Sequence, residues 1–306
     1  MIHRFQTAGA DAGRRLDHFL AERLAGRSRG EVRARIDLGG VHVDGRRMRK
    51  SGLLLAAGQR LEIHQDNGPL EPFRITAADV LFQDNYLLVL NKPAGVETQP
   101  TLARYRGTLY EALQVWLKRD TRFGRKLEIG MVQRLDRDTS GVIVFSIHPR
   151  AHKGLTEQIR DRSAAKHYLA LVTGHLQPEH GVWQSQLARD RRGNRIRTVD
   201  HGGKEAVTCY RTLCHYQAAS LIEVRLETGR THQIRAQAAD AGHPLLGDSR
   251  YGGPADMAGI SLARQCLHSR RLALLHPVSG AAMEWTAPLP EEMLRFHRLF
   301  PGRRTR

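Results

Sequence analysis

The densest cluster of reactive side-chain types in the chain is Gln133-Arg134-Leu135-Asp136-Arg137-Asp138-Thr139-Ser140-Gly141, set directly before the apolar run Val142-Ile143-Val144-Phe145. Charged residues at the mouth of a buried strand need a reason, because an apolar interior expels unpaired charge. An ordinary acidic and basic turn would read the same way, so this stretch alone decides nothing. A second segment, Thr228-Gly229-Arg230-Thr231-His232-Gln233-Ile234-Arg235, follows the strand pattern Ile222 to Leu226. Thr231 is suited to cap a helix running to Gly242, which puts Arg235 in or near its first turn. A carboxylate can act as nucleophile or base, and a guanidinium can hold it ionised through a charge-assisted, two-pronged pair. Other chemistries find no support. The sixteen histidines are scattered without paired ligand spacing, so no metal is expected. No Gly-x-Gly-x-x-Gly loop follows a strand, and His201-Gly202-Gly203-Lys204-Glu205 lacks the spacing and the Ser/Thr of a phosphate loop.

The elements that must position these residues are mostly strands. Apolar and β-branched runs predict strands at Val80–Phe82, Tyr86–Leu90, Val142–Phe145, Tyr168–Val172, Tyr210–Leu213 and Ile222–Leu226. Helices interleave with them: Thr108 with Glu111 starts one carrying Leu109, Leu113 and Trp116, and Leu155 with Ile159 marks another. Residues 64–78 are polar, hold glycine and two prolines, and break both periodicities, so they read as a linker. A catalytic domain over 79–300 follows it. Gly302-Arg303-Arg304-Thr305-Arg306 reads as a loose basic tail.

Lys and Arg total 48 against 31 Asp and Glu over 306 residues, a formal charge of +17, and this implies a polyanionic partner. Nucleic acid is preferred to a membrane, since no basic amphipathic anchor stands out and no apolar run approaches the length of a span. The opening Met1-Ile2-His3-Arg4-Phe5-Gln6-Thr7 has no apolar stretch resembling a signal sequence, so a cytoplasmic protein is expected. Cys209, Cys214 and Cys266 are odd in number and lack Cys-x-x-Cys spacing, which fits reduced core thiols.

Before the linker, Leu16, Phe19, Leu20 and Leu24 share a helical face that ends at Gly26. Ser28 with Glu31 caps a second helix whose Val32 and Ile36 face inward while Arg29 and Arg33 share the other side. Gly39-Gly40 stops it, Val41 and Val43 alternate as in a strand, and Asp44-Gly45 signals a tight hairpin. Residues 11–50 hold eleven Lys/Arg against six Asp/Glu. Residues 13–63 resemble the small RNA-binding domain of ribosomal protein S-four, carried by Arg14-Arg15-Leu16-Asp17, Ser28-Arg29-Gly30-Glu31-Val32-Arg33 and Val41-His42-Val43-Asp44-Gly45. That resemblance implies attachment to structured RNA through phosphates, with Arg29 and Arg33 among the contacts.

From about Gly13 to Pro290 the chain resembles an RluA-type RNA pseudouridine synthase. The resemblance rests on Asp84 to Gly95 with Asn91-Lys92-Pro93, on Arg134-Leu135-Asp136-Arg137-Asp138-Thr139-Ser140-Gly141, on Lys166-His167-Tyr168, on Thr228 to Arg235, and on His243-Pro244-Leu245-Leu246-Gly247-Asp248. It implies an α+β fold: a mixed, largely antiparallel central sheet with flanking helices, joined to the small N-terminal two-helix and hairpin domain. It also implies Asp136 as the catalytic carboxylate, Tyr168 as the ring packed on the target base and Arg235 as the partner of Asp136. Arg134 is expected to hold the flipped nucleotide or fill its place in the stack, with a plain salt bridge as the alternative, and Lys92 to contact phosphate, with a solvated turn residue as the alternative. No cofactor is implied, because the reaction is an isomerisation of uridine. Such enzymes with this N-terminal domain point to large-subunit ribosomal RNA, with transfer RNA as the alternative and a non-catalytic RNA-binding assembly factor as the rival class. A monomer is expected. One departure stands out: Gln133 occupies the place where the family usually has histidine.

Overall fold

The computed structural model describes residues 1–119, 128–190, 195–257 and 259–305, which divide into two compact units. The first comprises Met1–Thr76 with Gly95–Leu127, and the second Ala77–Ala94 with Glu128–Arg306.

In the first unit β1 (Ile2–Gln6), α1 (Leu16–Arg23), α2 (Arg29–Leu38), β2 (Val41–Val43), β3 (Arg46–Met48) and β4 (Arg60–His64) precede α3 (Leu109–Leu117). The four strands form an antiparallel sheet in the order β1-β4-β2-β3. Leu16, Phe19 and Leu20 of α1 meet Val32 and Ile36 of α2 and Val41, Leu61 and Ile63 of the sheet in one core. The Ser28 hydroxyl accepts from Glu31 N at 3.2 Å while the Glu31 carboxylate accepts from Ser28 N at 2.9 Å, so the capping box closes in both directions. Asp44 and Gly45 both have positive φ, 49° and 77°, as the tight hairpin requires.

This unit is larger than residues 13–63. It adds β1 and the segment after Gly95, whose backbone binds α2 directly: Tyr105 N donates to Leu38 O at 2.7 Å. Arg106 pairs with Asp37, and the Arg104 guanidinium forks onto Asp66 at 2.9 and 3.0 Å, so part of the stretch read as a linker is fastened down. A Cβ on Gly40 would lie 2.7 Å from His64 O and 2.8 Å from Ala103 O, so only glycine admits this approach. Loop backbone pairing of this kind carries no hydrophobic period, and the sequence pattern could not reveal it.

The second unit opens with β5 (Val80–Gln83) and β6 (Leu87–Lys92) and resumes with β7 (Ser140–Ser146), α4 (Pro149–Arg160), β8 (Ala165–Thr173), β9 (His180–Asp190), β10 (Arg195–Val199), β11 (Lys204–His215) and β12 (Ala219–Leu226). Then follow α5 (Gln233–Asp240), β13 (Asp256–Met257), β14 (Ile260–Ser261), β15 (Leu267–Leu275), β16 (Ala282–Thr286), α6 (Glu291–Leu299) and β17 (Arg303–Arg304). The large sheet runs β10-β9-β11-β12-β8-β15-β7-β6-β5, with β16 on β15 and β17 on β11. Among the described residues every pairing in it is antiparallel except β15 with β7, so the sheet is mixed and largely antiparallel as expected. Strands β6 and β7 are buried on both faces, which explains their unbroken apolar runs. The expected loose tail is not loose: Arg303 and Arg304 pair with His215 and Cys214, and the Thr305 hydroxyl donates to Thr212 O at 2.6 Å. No described helix is long and apolar enough to cross a membrane.

The parallel pair fixes the start of β7. Gly141 sits opposite Ser269 with φ +111°, and a Cβ there would fall 2.1 Å from the Ser269 carbonyl oxygen. Gly141→Ala therefore combines forbidden backbone with a backbone clash and is expected to cost on the order of 3 kcal/mol. Gly280→Ala, at φ +75° with nothing within 4 Å, carries only the conformational part, about 1 kcal/mol. Urea unfolding of the two variants checks this; equal losses would mean that the approach of β15 does not constrain Gly141.

Candidate active site

The loop Arg134–Thr139 leads into β7, and its carbonyls are fastened one after another. Thr139 N donates to Asp136 O at 3.1 Å. The Lys92 ammonium, at the end of β6, donates to Arg137 O and to Pro93 O, both at 2.9 Å. The Arg264 guanidinium donates to Asp138 O at 2.7 Å and to the Ser140 hydroxyl at 3.2 Å, and it pairs with Glu292 of α6. Burial pulls the Arg264 pKa below its ordinary value. Lys92 is completely buried, which corrects the expectation that it contacts phosphate. An ammonium without solvent access cannot reach a nucleic-acid backbone. Its work is to hold the loop that carries Asp136.

Asp136 meets Arg235, as the resemblance implied, though by a different geometry. One guanidinium nitrogen, Nη1, donates to Asp136 Oδ2 at 3.0 Å. The two-pronged face, Nε and Nη2, goes to Asp248 at 2.6 and 2.8 Å. The fork expected on Asp136 is therefore on Asp248, and Asp136 takes a single prong. Burial disfavours charge on Arg235, but the Asp248 hydrogen bonds and charge, joined by Asp136, hold its pKa above the ordinary arginine value. The Tyr251 ring lies beneath the guanidinium, 5.0 Å from centroid to carbon. The helix start is also shifted: the N-cap of α5 is His232 and not Thr231, and His232 has φ 51° with no side-chain cap bond. Arg235 still falls in the first turn.

Tyr168 lies on β8 opposite Ser269 of β15, the residue that faces Gly141 at the head of β7. Burial pushes its hydroxyl up to about 12, against a hydrogen bond with Ser269 and with the Asp136 charge adding to the rise. Tyr168 is thus a protonated phenol beside an acid. His232 is the neighbour that sequence reasoning passed over: Nε2 lies 3.8 Å from Asp136 Oδ2, and Nδ1 is 2.9 Å from the Tyr251 hydroxyl. Burial lowers the His232 pKa, so the imidazole is held neutral. Among the described residues no group of three or more His, Cys, Asp or Glu could hold a metal ion.

Residues 86–240 match the RNA pseudouridylate synthase family, and residues 14–61 match the S4 domain. The chain belongs to the RNA pseudouridylate synthase family. The synthase is 36% identical over 295 residues to Ribosomal large subunit pseudouridine synthase D of Nitrosomonas europaea, covering 92% of this chain and 83% of that one. It is likewise 36% identical over 301 residues to the protein of the same name from Xanthomonas campestris, covering 93% and 88%. Among solved structures, Human RNA Pseudouridylate Synthase Domain Containing 1 superposes with a TM-score of 0.60 over 77% of this chain and 93% of that one, at 22% identity, a likeness of fold. The synthase is an RNA-modifying isomerase.

The remaining site residues separate cleanly. Arg134 is exposed on the loop beside Asp136. Gln133, where the family usually has histidine, buries its Nε2 without a hydrogen-bond partner. Arg29 and Arg33 lie in the first unit, far along the chain, where with Arg15 they converge on the buried carboxylate of Asp17 at 3.1, 2.6 and 3.0 Å. Each remains about half exposed. Asp248 stood in a motif of the resemblance with no role assigned to it, and Tyr251 and Arg264 were not singled out, because what marks them is a buried partner rather than a local pattern.

Two substitutions dissect the Asp248–Arg235–Asp136 chain. Asp248→Asn leaves a buried guanidinium undercompensated and is expected to cost about 3–5 kcal/mol of stability, seen in chemical denaturation. Arg235→Lys keeps the charge but loses the planar fork, so single-turnover rate at saturation should fall about 10²-fold. A near-normal rate would show that another residue partners Asp136.

Proposed function

We propose that the synthase converts specific uridines of large-subunit ribosomal RNA to pseudouridine by flipping the target base to a place beside Asp136. The N1–C1′ bond of the uridine breaks, the uracil turns while bound, and C5 joins C1′; C5 gives up a proton and N1 gains one. No atom is added or lost overall, so no redox partner or energy source is needed. Asp136 either attacks the sugar carbon as a nucleophile or removes a sugar proton as a base. The observation that carries this reading is the state of its carboxylate: Oδ2 is held by Arg235 while Oδ1 has no protein partner among the described residues. An oriented carboxylate with one oxygen in reserve is equipped for work on a ribose. Tyr168 offers a ring face to the uracil. Flipping costs a few kcal/mol of stacking, which the exposed Arg134 can offset by taking the vacated place.

The ribosomal substrate is supported by relatives whose names assign them the large subunit and which align over most of both chains. Attachment is supported by the Arg15, Arg29 and Arg33 cluster, in which one buried carboxylate orients three half-exposed guanidiniums. Such a cluster retains a net positive charge and free donors for phosphate.

Asp136→Asn and Asp136→Ala should abolish turnover while RNA affinity stays within about twofold, since phosphates supply most of the binding. Measurable multiple turnover by either variant overturns the role of Asp136. Mapping pseudouridine in RNA from cells lacking the gene should show losses in large-subunit RNA; losses confined to transfer RNA would redirect the substrate. Arg29→Gln with Arg33→Gln should reduce the slope of log K against log salt by about 2, because two released counterions are lost, and leave the saturated rate unchanged. An unchanged slope would place RNA attachment elsewhere.

A further inference from the structure

His232 carries three features that its position in the fold does not require. It is a non-glycine residue in left-handed backbone, with φ 51° and ψ 24°, at the head of α5, and it caps nothing there. Such conformations are uncommon outside glycine and collect where function over-determines the backbone. Its imidazole and the Asp136 carboxylate are both reachable, with side chains 14% and 25% exposed. Finally, Nε2 stands 3.8 Å from Asp136 Oδ2, too far for a hydrogen bond and too close for an intervening layer.

The tautomer is assigned from the neighbours. Nε2 faces the Asp136 carboxylate, which favours a proton on that nitrogen over a lone pair, and Tyr251 Oη, which accepts the backbone N–H of Ile196 at 3.1 Å, then gives its own proton to His232 Nδ1 at 2.9 Å. A neutral imidazole whose Nδ1 accepts must carry its proton on Nε2, and that N–H is on the side of Asp136. Burial, which lowers the His232 pKa, keeps this neutral form in place. The pair thus offers a donor, Nε2–H, and an acceptor, Oδ2, with a gap that one oxygen atom about 2.8 Å from each would bridge. The group that fits must accept from one side and donate to the other. A hydroxyl does both.

We propose that His232 and Asp136 together clasp the 2′-hydroxyl of the target nucleotide, making His232 a contact that reads ribose. In an internal nucleotide of RNA the 3′ and 5′ oxygens are esterified, so the 2′-hydroxyl is the sugar's one free hydroxyl and the feature that separates RNA from DNA. The clasp rests on the reading of Asp136 as the acid that works at the sugar, and adds to it the point by which the sugar is held.

The experiment compares single-turnover rates at saturating enzyme on two versions of one RNA fragment, with uridine or 2′-deoxyuridine at the target. Conversion of the all-ribose fragment by the wild-type enzyme tests the substrate assignment by itself; the clasp is tested by ratios of rates, in which intrinsic effects of the deoxy sugar cancel. His232→Asn keeps a residue that tolerates left-handed backbone but is too short to reach the hydroxyl. The wild-type enzyme should prefer the ribose fragment about tenfold more strongly than His232→Asn does. Tyr251→Phe keeps the ring under Arg235, frees the tautomer of His232, and should lower the preference part of the way; it decides the matter if the Asn variant does not fold. Equal preference in wild type and variants, with unchanged unfolding midpoints, overturns the clasp.

Discussion

A guanidinium stripped of most of its water must be surrounded by negative charge, and in this synthase that requirement organises the site. Arg235 is closed off by Asp248 on its forked face, by Asp136 on its remaining nitrogen and by the ring of Tyr251 below. Asp248 is itself 2% exposed, so neither partner of the fork can relax into solvent. The energy of leaving either charge alone is several kcal/mol, which makes the pair rigid. Rigidity passes to Asp136, the acid proposed to work at the sugar. The two acids differ accordingly: the deeper one takes the fork of Arg235, and the shallower one takes a single prong.

The same logic recurs in the loop. A turn full of carbonyls at the mouth of a buried strand would be costly if those oxygens were unpaired. Lys92 and Arg264 satisfy those of Arg137 and Asp138, and their own charges are tolerated because they are spread over several oxygens and, for Arg264, matched by Glu292. Cations that look on paper like nucleic-acid contacts are here part of the frame. Gly141 then lets β15 press against the head of β7, so the loop is held from the sheet side as well.

What the sequence made legible was whatever has a period, a cap or a local motif. Strands β5, β6, β7, β8, β11 and β12 of the large sheet, the helices started by Ser28 and Thr108, and the Asp44-Gly45 hairpin all announce themselves within ten residues, whereas β9 and β10 were not read from the sequence. The conjunction of Asp136, Tyr168 and Arg235 came from resemblance, which stores long-range geometry that local patterns lack. The misreadings have one cause. Burial of Lys92, the fork of Arg235 on Asp248, the pairing of Arg303 and Arg304 with β11, and the docking of Tyr105 on α2 all depend on residues 13 to 90 positions away in the chain. The N-cap shift from Thr231 to His232 is different: it breaks a local rule, and it does so next to Asp136.

The path of the chain between the two units has a consequence for how the molecule is made and taken apart. After β6 the chain leaves the second unit, contributes residues of 95–119 to the first, and returns for β7, the antiparallel neighbour of β6. The ribosome therefore releases β5 and β6 before their sheet can exist, and the first unit cannot be completed until the segment carrying Tyr105 and Arg106 has emerged. The two units are interlaced in sequence, so no single cut separates them. A nick between residues 67 and 78 would leave Leu38 O, Asp37 and Asp66 still bound to the downstream fragment, and the pieces would be expected to stay together as a complementing pair.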